Sequence, residues 1–288
     1  MPKLIIHVFL FSLVLSTNAQ SRKFYTIKND NTYDKIIFKV KAQSGNYKII
    51  PSKRKNTIDI FGSPNHENLN PSFSSTKTDE RTRQILFTLE NLYDPILTNF
   101  VPNENNLWEF FINEDKTYDL TFNYDVADAD IDLSNIPIEN INLITGNANL
   151  TINYKENQGN PINMETLNIK IEIGSLHTKN INLSNAENIL TEIGFGNIIL
   201  DIGKNKRKGF ISRTNLSAGK LIINLPIDEM ATKIEINNSP LSTIVIPNSF
   251  REIEENIFVN QSFFSNSKNI RSFVIDVGVG NITVNYKK

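Results

Sequence analysis

Gly196-Asn197-Ile198-Ile199-Leu200 reads as a small residue, one variable residue, then apolar, any, apolar. The pattern returns as Gly219-Lys220-Leu221-Ile222-Ile223, Ser242-Thr243-Ile244-Val245-Ile246 and Gly280-Asn281-Ile282-Thr283-Val284. Ala129-Asp130-Ile131-Asp132-Leu133 and Ala148-Asn149-Leu150-Thr151-Ile152 fit it too. Gly174-Ser175-Leu176-His177-Thr178 is a degraded copy, and Gly45-Asn46-Tyr47-Lys48-Ile49 an earlier one. With the small residue as origin, positions 129, 148, 174, 196, 219, 242 and 280 are 19, 26, 22, 23, 23 and 38 residues apart. A period in the twenties marks a solenoid or array. The long last step leaves room for an insertion around Arg251 to Asn269.

A second alternating run precedes each small residue. Leu167, Ile169, Ile171 and Ile173 lead to Gly174; Leu120, Phe122, Tyr124 and Val126 lead toward Ala129. Phe273, Ile275 and Val277 lead to Gly278 and Gly280, and Ile234 and Ile236 precede Ser242. Apolar residues two apart with polar ones between them predict a strand buried on one face. Each unit therefore reads as strand, tight corner, strand, loop. Gly or Ala suits a corner where backbones approach closely. One rung cannot bury its apolar face alone, so stacked rungs must share a continuous core. The abundant Asn has two explanations: left-handed corners and amide ladders, or biased genome composition.

Before residue 120 the pattern weakens. Ile36 to Val40, Thr57 to Phe61, Trp108 to Ile112 and Tyr118 to Tyr124 predict strands. Gly62 to Arg83, rich in Ser, Asn, Thr and Pro, predicts a long loop. Gln84 to Phe100 is apolar and fits either strand or helix, with Pro95 and Pro102 as breakers. The organisation expected is a signal peptide over 1–19 and one all-β, solenoid-like domain over 20–288. Within it, 20–119 is a less regular N-terminal portion and 120–288 is the repeat stack.

The signal rests on Lys3, the apolar run Leu4 to Leu15, and the small-residue stretch Ser16-Thr17-Asn18-Ala19, with cleavage at Ala19/Gln20. The run is too short to span a bilayer. The expected location is periplasm, cell surface or medium, with no transmembrane segment in the mature chain. The chain has 288 residues, 30 basic and 31 acidic, and a net charge of −1 that becomes −2 once Lys3 is lost. That near balance is not the basic excess of a nucleic-acid binder. With no cysteine, disulfides, thiolate catalysis, cysteine zinc ligands and a lipid-modified cysteine are all excluded.

From Trp108 onward the order of segments resembles the toast-rack domains of bacterial envelope proteins, the group of secreted adhesins and LiaF-like envelope-stress regulators. The residues that carry the likeness are Asp132-Leu133-Ser134-Asn135-Ile136, Ile138 to Leu143 and Thr145-Gly146-Asn147-Ala148. Gly194-Phe195-Gly196-Asn197, Leu225-Pro226 and Val277 to Val284 follow in the same order. The resemblance implies a solenoid-like β-stack in an envelope or surface setting, and carries over no catalytic residue. This chain departs from the LiaF-like pattern in lacking membrane helices.

Chemistry-bearing candidates are few. His7, His66 and His177 lack ligand spacing. The nucleophile-elbow pattern is absent. Asp125, Asp128, Asp130 and Asp132 form the densest acidic cluster, the last three on one solvent face. They read as a solvated strand face, as calcium ligands, or as the paired acids of a carbohydrate-active solenoid enzyme. Lys204, Lys206, Arg207 and Lys208 read as a solvated turn or as an anionic-polymer contact. Gly194/Gly196 and Gly278/Gly280 sit between strands with no helix after them, so they are not nucleotide loops. Asn-x-Ser/Thr occurs at Asn149, Asn182, Asn215, Asn237, Asn260 and Asn281, a number that chance produces at this Asn content.

The reading favoured is a non-enzymatic secreted or envelope binding or scaffold protein of adhesin-like type. It would use no cofactor and no metal, and its partner would be an envelope protein or a glycan. The alternatives are the carbohydrate-active enzyme and a soluble envelope-stress sensor. An enzyme needs a concave groove with converging acids. A glycan binder needs exposed aromatics aligned on one face.

Overall fold

Each alternating run and the small residue after it lie on one unbroken strand. In this computed structural model, which describes residues 23–63, 69–91, 106–204, 209–238, 240–265 and 269–287, the strands run in chain order as follows. They are β1 (Lys23–Ile27), β2 (Lys35–Ser52), β3 (Ile58–Ser63), β4 (Leu69–Lys77), β5 (Thr82–Asn91), β6 (Leu107–Asn113), β7 (Thr117–Asp132) and β8 (Ile138–Asn153). After them come β9 (Met164–Lys179), β10 (Ala186–Asp201), β11 (Phe210–Leu225), β12 (Ala231–Asn238), β13 (Ser242–Val245), β14 (Arg251–Glu254), β15 (Ile257–Val259) and β16 (Ile270–Tyr286). The only helical segments among the described residues are two 3-10 turns, Ile181–Ser184 and Gln261–Phe264. One sheet joins all the strands, with β2-β7-β8-β9-β10-β11-β16 as its central run of parallel neighbours.

Chain length forces these strands to fold back. A straight 16-residue strand is about 53 Å long at ~3.3 Å per residue. The link from Asp132 at the end of β7 to Ile138 at the start of β8 reaches only about 20 Å. A parallel neighbour after so short a link requires the strand to bend at its middle.

The bend is the small residue. Gly45, Gly174, Gly196, Gly219 and Gly280 have φ between 140° and 156°, where side-chain-bearing residues are rare. The corner also reverses the pleat. On β10 Ile189, Thr191 and Ile193 are buried before it, and Ile198 and Leu200 after it. Odd positions face inward on one half and even positions on the other, so both halves line the same core. The register bears this out: Ile198 lies between Leu176 and Leu221, and Leu200 between Thr178 and Ile223.

The register also corrects details of the sequence reading. The unit is one bent strand and not two strands separated by a corner. The corner column is Gly45, Ala127, Ala148, Gly174, Gly196, Gly219, Gly280 and Ser242. Ala127, not Ala129, is therefore the corner of β7, and Ala129 lies inside beside Leu150. Two alanines of equal pleat parity cannot be told apart by alternation. The stack also reaches back to β2, well before residue 120. At the other end rungs do not stack in chain order, because β16 lies between β11 and β12/β13.

Both outermost rungs are split. β5 and β6 pair with the two halves of β2, and β12 and β13 with the two halves of β16. Within Gly62 to Arg83 the segment Leu69–Lys77 is strand and not loop: β4 pairs antiparallel with β5 from Leu69↔Asn91 to Lys77↔Arg83. Its Ser, Asn and Pro71 fit an outer strand, where proline's missing donor costs no ladder bond. Gln84 to Asn91 is strand, and 92–100 lies outside the described residues. The expected insertion holds the hairpin β14–β15. The signal segment over 1–19 also lies outside the described residues.

The core fills the fold of the stack. Aliphatic columns dominate its middle, and Phe38, Phe87, Trp108, Phe110 and Phe122 pack at the β2 end. The links supply the third wall, with Leu133, Tyr154, Ile181, Leu183 and Ile202 buried. Asparagine makes this wall possible. Asn160 donates to the Ile138 carbonyl (2.7 Å) and accepts from its N–H (3.2 Å), as a neighbouring strand would. Asn182 does the same for Gly203 (3.2 and 2.7 Å). Asn135, Asn157, Asn180, Asn185 and Asn256 take positive φ in the links.

Leu200→Ala should cost about 2–5 kcal/mol, through lost burial and a cavity. Gly196→Ala should cost at least about 2 kcal/mol, because the added Cβ lies 1.7 Å from the Gly174 carbonyl oxygen at a φ of +150°. Asp130→Ala, on the outer face, should stay within about 0.5 kcal/mol. Urea midpoints of the three variants check this ranking.

Candidate functional site

Reversing the pleat leaves one residue per rung on the outside of the corner. The residue before each corner belongs to neither inward set and points away from the core. Register aligns these residues into a row: Val126, Asn147, Ile173, Phe195, Ala218 and Val279. Ile173, Phe195 and Val279 are 55%, 62% and 47% exposed. Adjacent rungs lie about 4.8 Å apart, so Ile173 to Val279 makes an apolar ridge about 14 Å long. Glu172, Gly194, Ser217 and Gly278 flank it on one side, and Ser175, Asn197, Lys220 and Asn281 on the other. An apolar ridge rimmed by polar and charged residues, Glu172 and Lys220 among them, is the kind of surface that marks an interaction site.

Sequence reading counts Ile173 among the residues leading into a buried run; the structure turns it outward. It also leaves Phe195 and Val279 unassigned. Their signal is present, since both are apolar residues enclosed by two glycines, in Gly194-Phe195-Gly196 and Gly278-Val279-Gly280.

The acidic cluster is divided by the corner. Asp125 lies before it and Asp128, Asp130 and Asp132 after it, the last three on the outer face as their alternation requires. Partial burial raises the Asp125 carboxyl above the usual carboxylate range. Asp128 accepts a hydrogen bond from Asn149 Nδ2 (2.9 Å). Asp132 accepts from the Ser134 N–H (3.0 Å) and meets Lys155 Nζ at 2.7 Å. These partners hold the carboxylates along the ladder and do not aim them at a common point. Among the described residues no group of three or more Asp, Glu or His side chains is arranged to hold a metal ion.

A wide depression of about 610 Å³ lies elsewhere, where Glu235, Asn237, Glu255, Asn256 and Asp276 meet near the β14–β15 hairpin. Glu235 there is paired with Lys233 Nζ at 3.0 Å. His177 stands on the outer face, its Nε2 3.7 Å from Asp201 Oδ2. His7, His66, Lys206, Arg207 and Lys208 lie outside the described residues. Gly194/Gly196 and Gly278/Gly280 lie inside the single strands β10 and β16, where Gly196 and Gly280 are the corners, and not between two strands as the sequence suggested. Asn182 and Asn260, two of the Asn-x-Ser/Thr positions, spend their amides on backbone groups of neighbouring links. No helix among the described residues is long and apolar enough to cross a membrane.

The bent-strand stack, its small-residue corners and the segment order define an all-β solenoid of the toast-rack class. Residues 16–176, more than half of the chain, match the N-terminal domain of toast_rack (DUF2154), and the chain belongs to this family. Among solved structures it is similar to a "putative cell adhesion protein" from Clostridium sporogenes. Identity is 14%, coverage 93% of this chain and 99% of that one, and the TM-score 0.46. A "putative adhesin" from Bacteroides fragilis shares 13% identity over 92% of this chain and 96% of its own, with a TM-score of 0.31. A "putative lipid binding protein" from Parabacteroides distasonis shares 11% over 94% and 98%, with a TM-score of 0.32. No curated protein matches the sequence.

Because the ridge lies outside the core, Ile173→Ser and Phe195→Ser should each change stability by no more than about 0.5 kcal/mol. Thermal denaturation of both variants, with Ile171→Ser as the buried comparison, checks that the ridge is not held for folding.

Proposed function

We propose that the protein is a non-enzymatic, exported envelope or surface protein of adhesin-like type that binds a protein partner through its corner ridge. The observation that carries this reading is the ridge itself: Ile173, Phe195 and Val279 exposed in one register row across four neighbouring rungs, with Ala218 between Phe195 and Val279. Apolar side chains on so regular a scaffold present a fixed, preorganised surface, which lowers the entropy cost of binding. The ridge is mainly aliphatic, with Phe195 its one aromatic, which favours a protein over a glycan as the partner. The acidic residues 125–132 face outward along a strand, and the depression of about 610 Å³ lies apart from them. That separation weighs against the carbohydrate-active reading. Export rests on Lys3, the apolar run after it and the small residues ending at Ala19.

Three measurements test the proposal. Labelled protein should bind the envelope or surface fraction of its host, and Ile173→Asp/Phe195→Asp should weaken that binding at least about tenfold. Ile253→Asp, an exposed site far along the chain, should not. Equal binding by the ridge variant overturns the assignment of the site. Mass spectrometry of native protein should find an N-terminus near Gln20; intact Met1 in the cytosol contradicts export. Polysaccharide cleavage abolished by Asp130→Asn would replace the binding role with an enzymatic one.

A further inference from the structure

Four half-rungs close the ends of the stack, and three of them are covered. β4 lies antiparallel on β5, β3 on β6, and β15 on β12. The fourth, β13, pairs with β16 and with no other strand among the described residues. The interior columns stop there. Ile282 is fully buried, whereas Ile244, its neighbour in register, is only partly buried, as is Ile246.

An open edge is normally protected by charge. The outer strands elsewhere follow that rule, with Lys23 on β1, Lys77 on β4, and Arg251, Glu252 and Glu254 on β14. The segment Pro240 to Phe250 contains no charged residue, and Thr243-Ile244-Val245-Ile246 has high strand propensity. The uncovered edge is thus also the unguarded one.

We propose that β13 pairs antiparallel with β13 of a second copy, joining two stacks end to end. A two-fold axis at Ile244 sets Ile244 against itself, Ser242 against Ile246, and Thr243 against Val245. Every pair is uncharged, and the half-buried isoleucines of each copy complete the column of the other. Such an interface is isologous, so it closes at two copies. Pro240 and Pro247 keep the pairing short, and with β5, β6 and β12 covered the described residues offer no second uncharged edge from which a fibre could grow. This inference is independent of the ridge and of its partner.

Sedimentation velocity of the full chain over about a hundredfold range of concentration should show a monomer–dimer equilibrium. Thr243→Lys/Val245→Lys places like charges opposite each other and should leave only monomer, with the melting temperature of wild-type protein diluted to monomer. Thr243→Lys/Val245→Glu sets Lys against Glu across the axis and should restore the dimer. A wild-type monomer throughout overturns the proposal. So does a dimer that survives the paired lysines, one the Lys/Glu variant fails to restore, or one that Phe195→Ser abolishes.

Discussion

The structure depends on one close approach: the Cα of the corner glycines Gly174, Gly196, Gly219 and Gly280 over the carbonyl oxygen of the neighbouring rung. A Cβ built at Gly174, Gly196, Gly219 or Gly280 would lie 1.9, 1.7, 1.7 or 1.8 Å from that oxygen. No side chain fits, and the φ near +145° is one that other residues rarely adopt. The corner bends the strand, and the bend makes short links sufficient between parallel neighbours. It also switches the pleat, so both halves of a rung feed one core. Ala127 and Ala148 lie between Gly45 and Gly174 in the column and stay outside the positive-φ region.

A stack built this way has two costs. Links must run over the core without strand partners, leaving backbone groups to satisfy. The paired hydrogen bonds of Asn160 and Asn182 meet that need, as does Asn260 against Thr232 and Met230. The Asn-rich composition thus has structural work here, whatever the genome contributes. A stack also has ends. Both chain-terminal long strands, β2 and β16, sit one layer inside, and the outer layers are made from half-strands and hairpins drawn from within the chain. Such caps shield repeats that would otherwise offer an open edge.

Bending and switching also shape the surface. A flat one-sided sheet alternates cleanly between inside and outside. The corner breaks that alternation and leaves Ile173, Phe195 and Val279 exposed in a line. Residues one might take for core are outside for a geometric reason, with no loss of packing, because Ile171 and Leu176 on either side are buried. The outward carboxylates have the opposite character. They are dispersed along the strand, Asp128 beside the Asn149 amide and Asp132 beside Lys155.

The sequence by itself determined the rung, the period, the inward columns and the corner's demand for small residues. These follow from local rules: pleat alternation, and the exclusion of Cβ where backbones touch. Only the tertiary structure decided which alanine is the corner of β7, that Leu69–Lys77 is a strand, and that β16 is inserted before β12. Each of these turns on a pairing between segments distant in the chain. Equal parity hides the register at Ala127 and Ala129, and an outer strand with a solvated face reads as loop. The ridge lies between these cases. Its glycine-enclosed residues are visible in the sequence, but their exposure exists only because stacked corners turn them outward together.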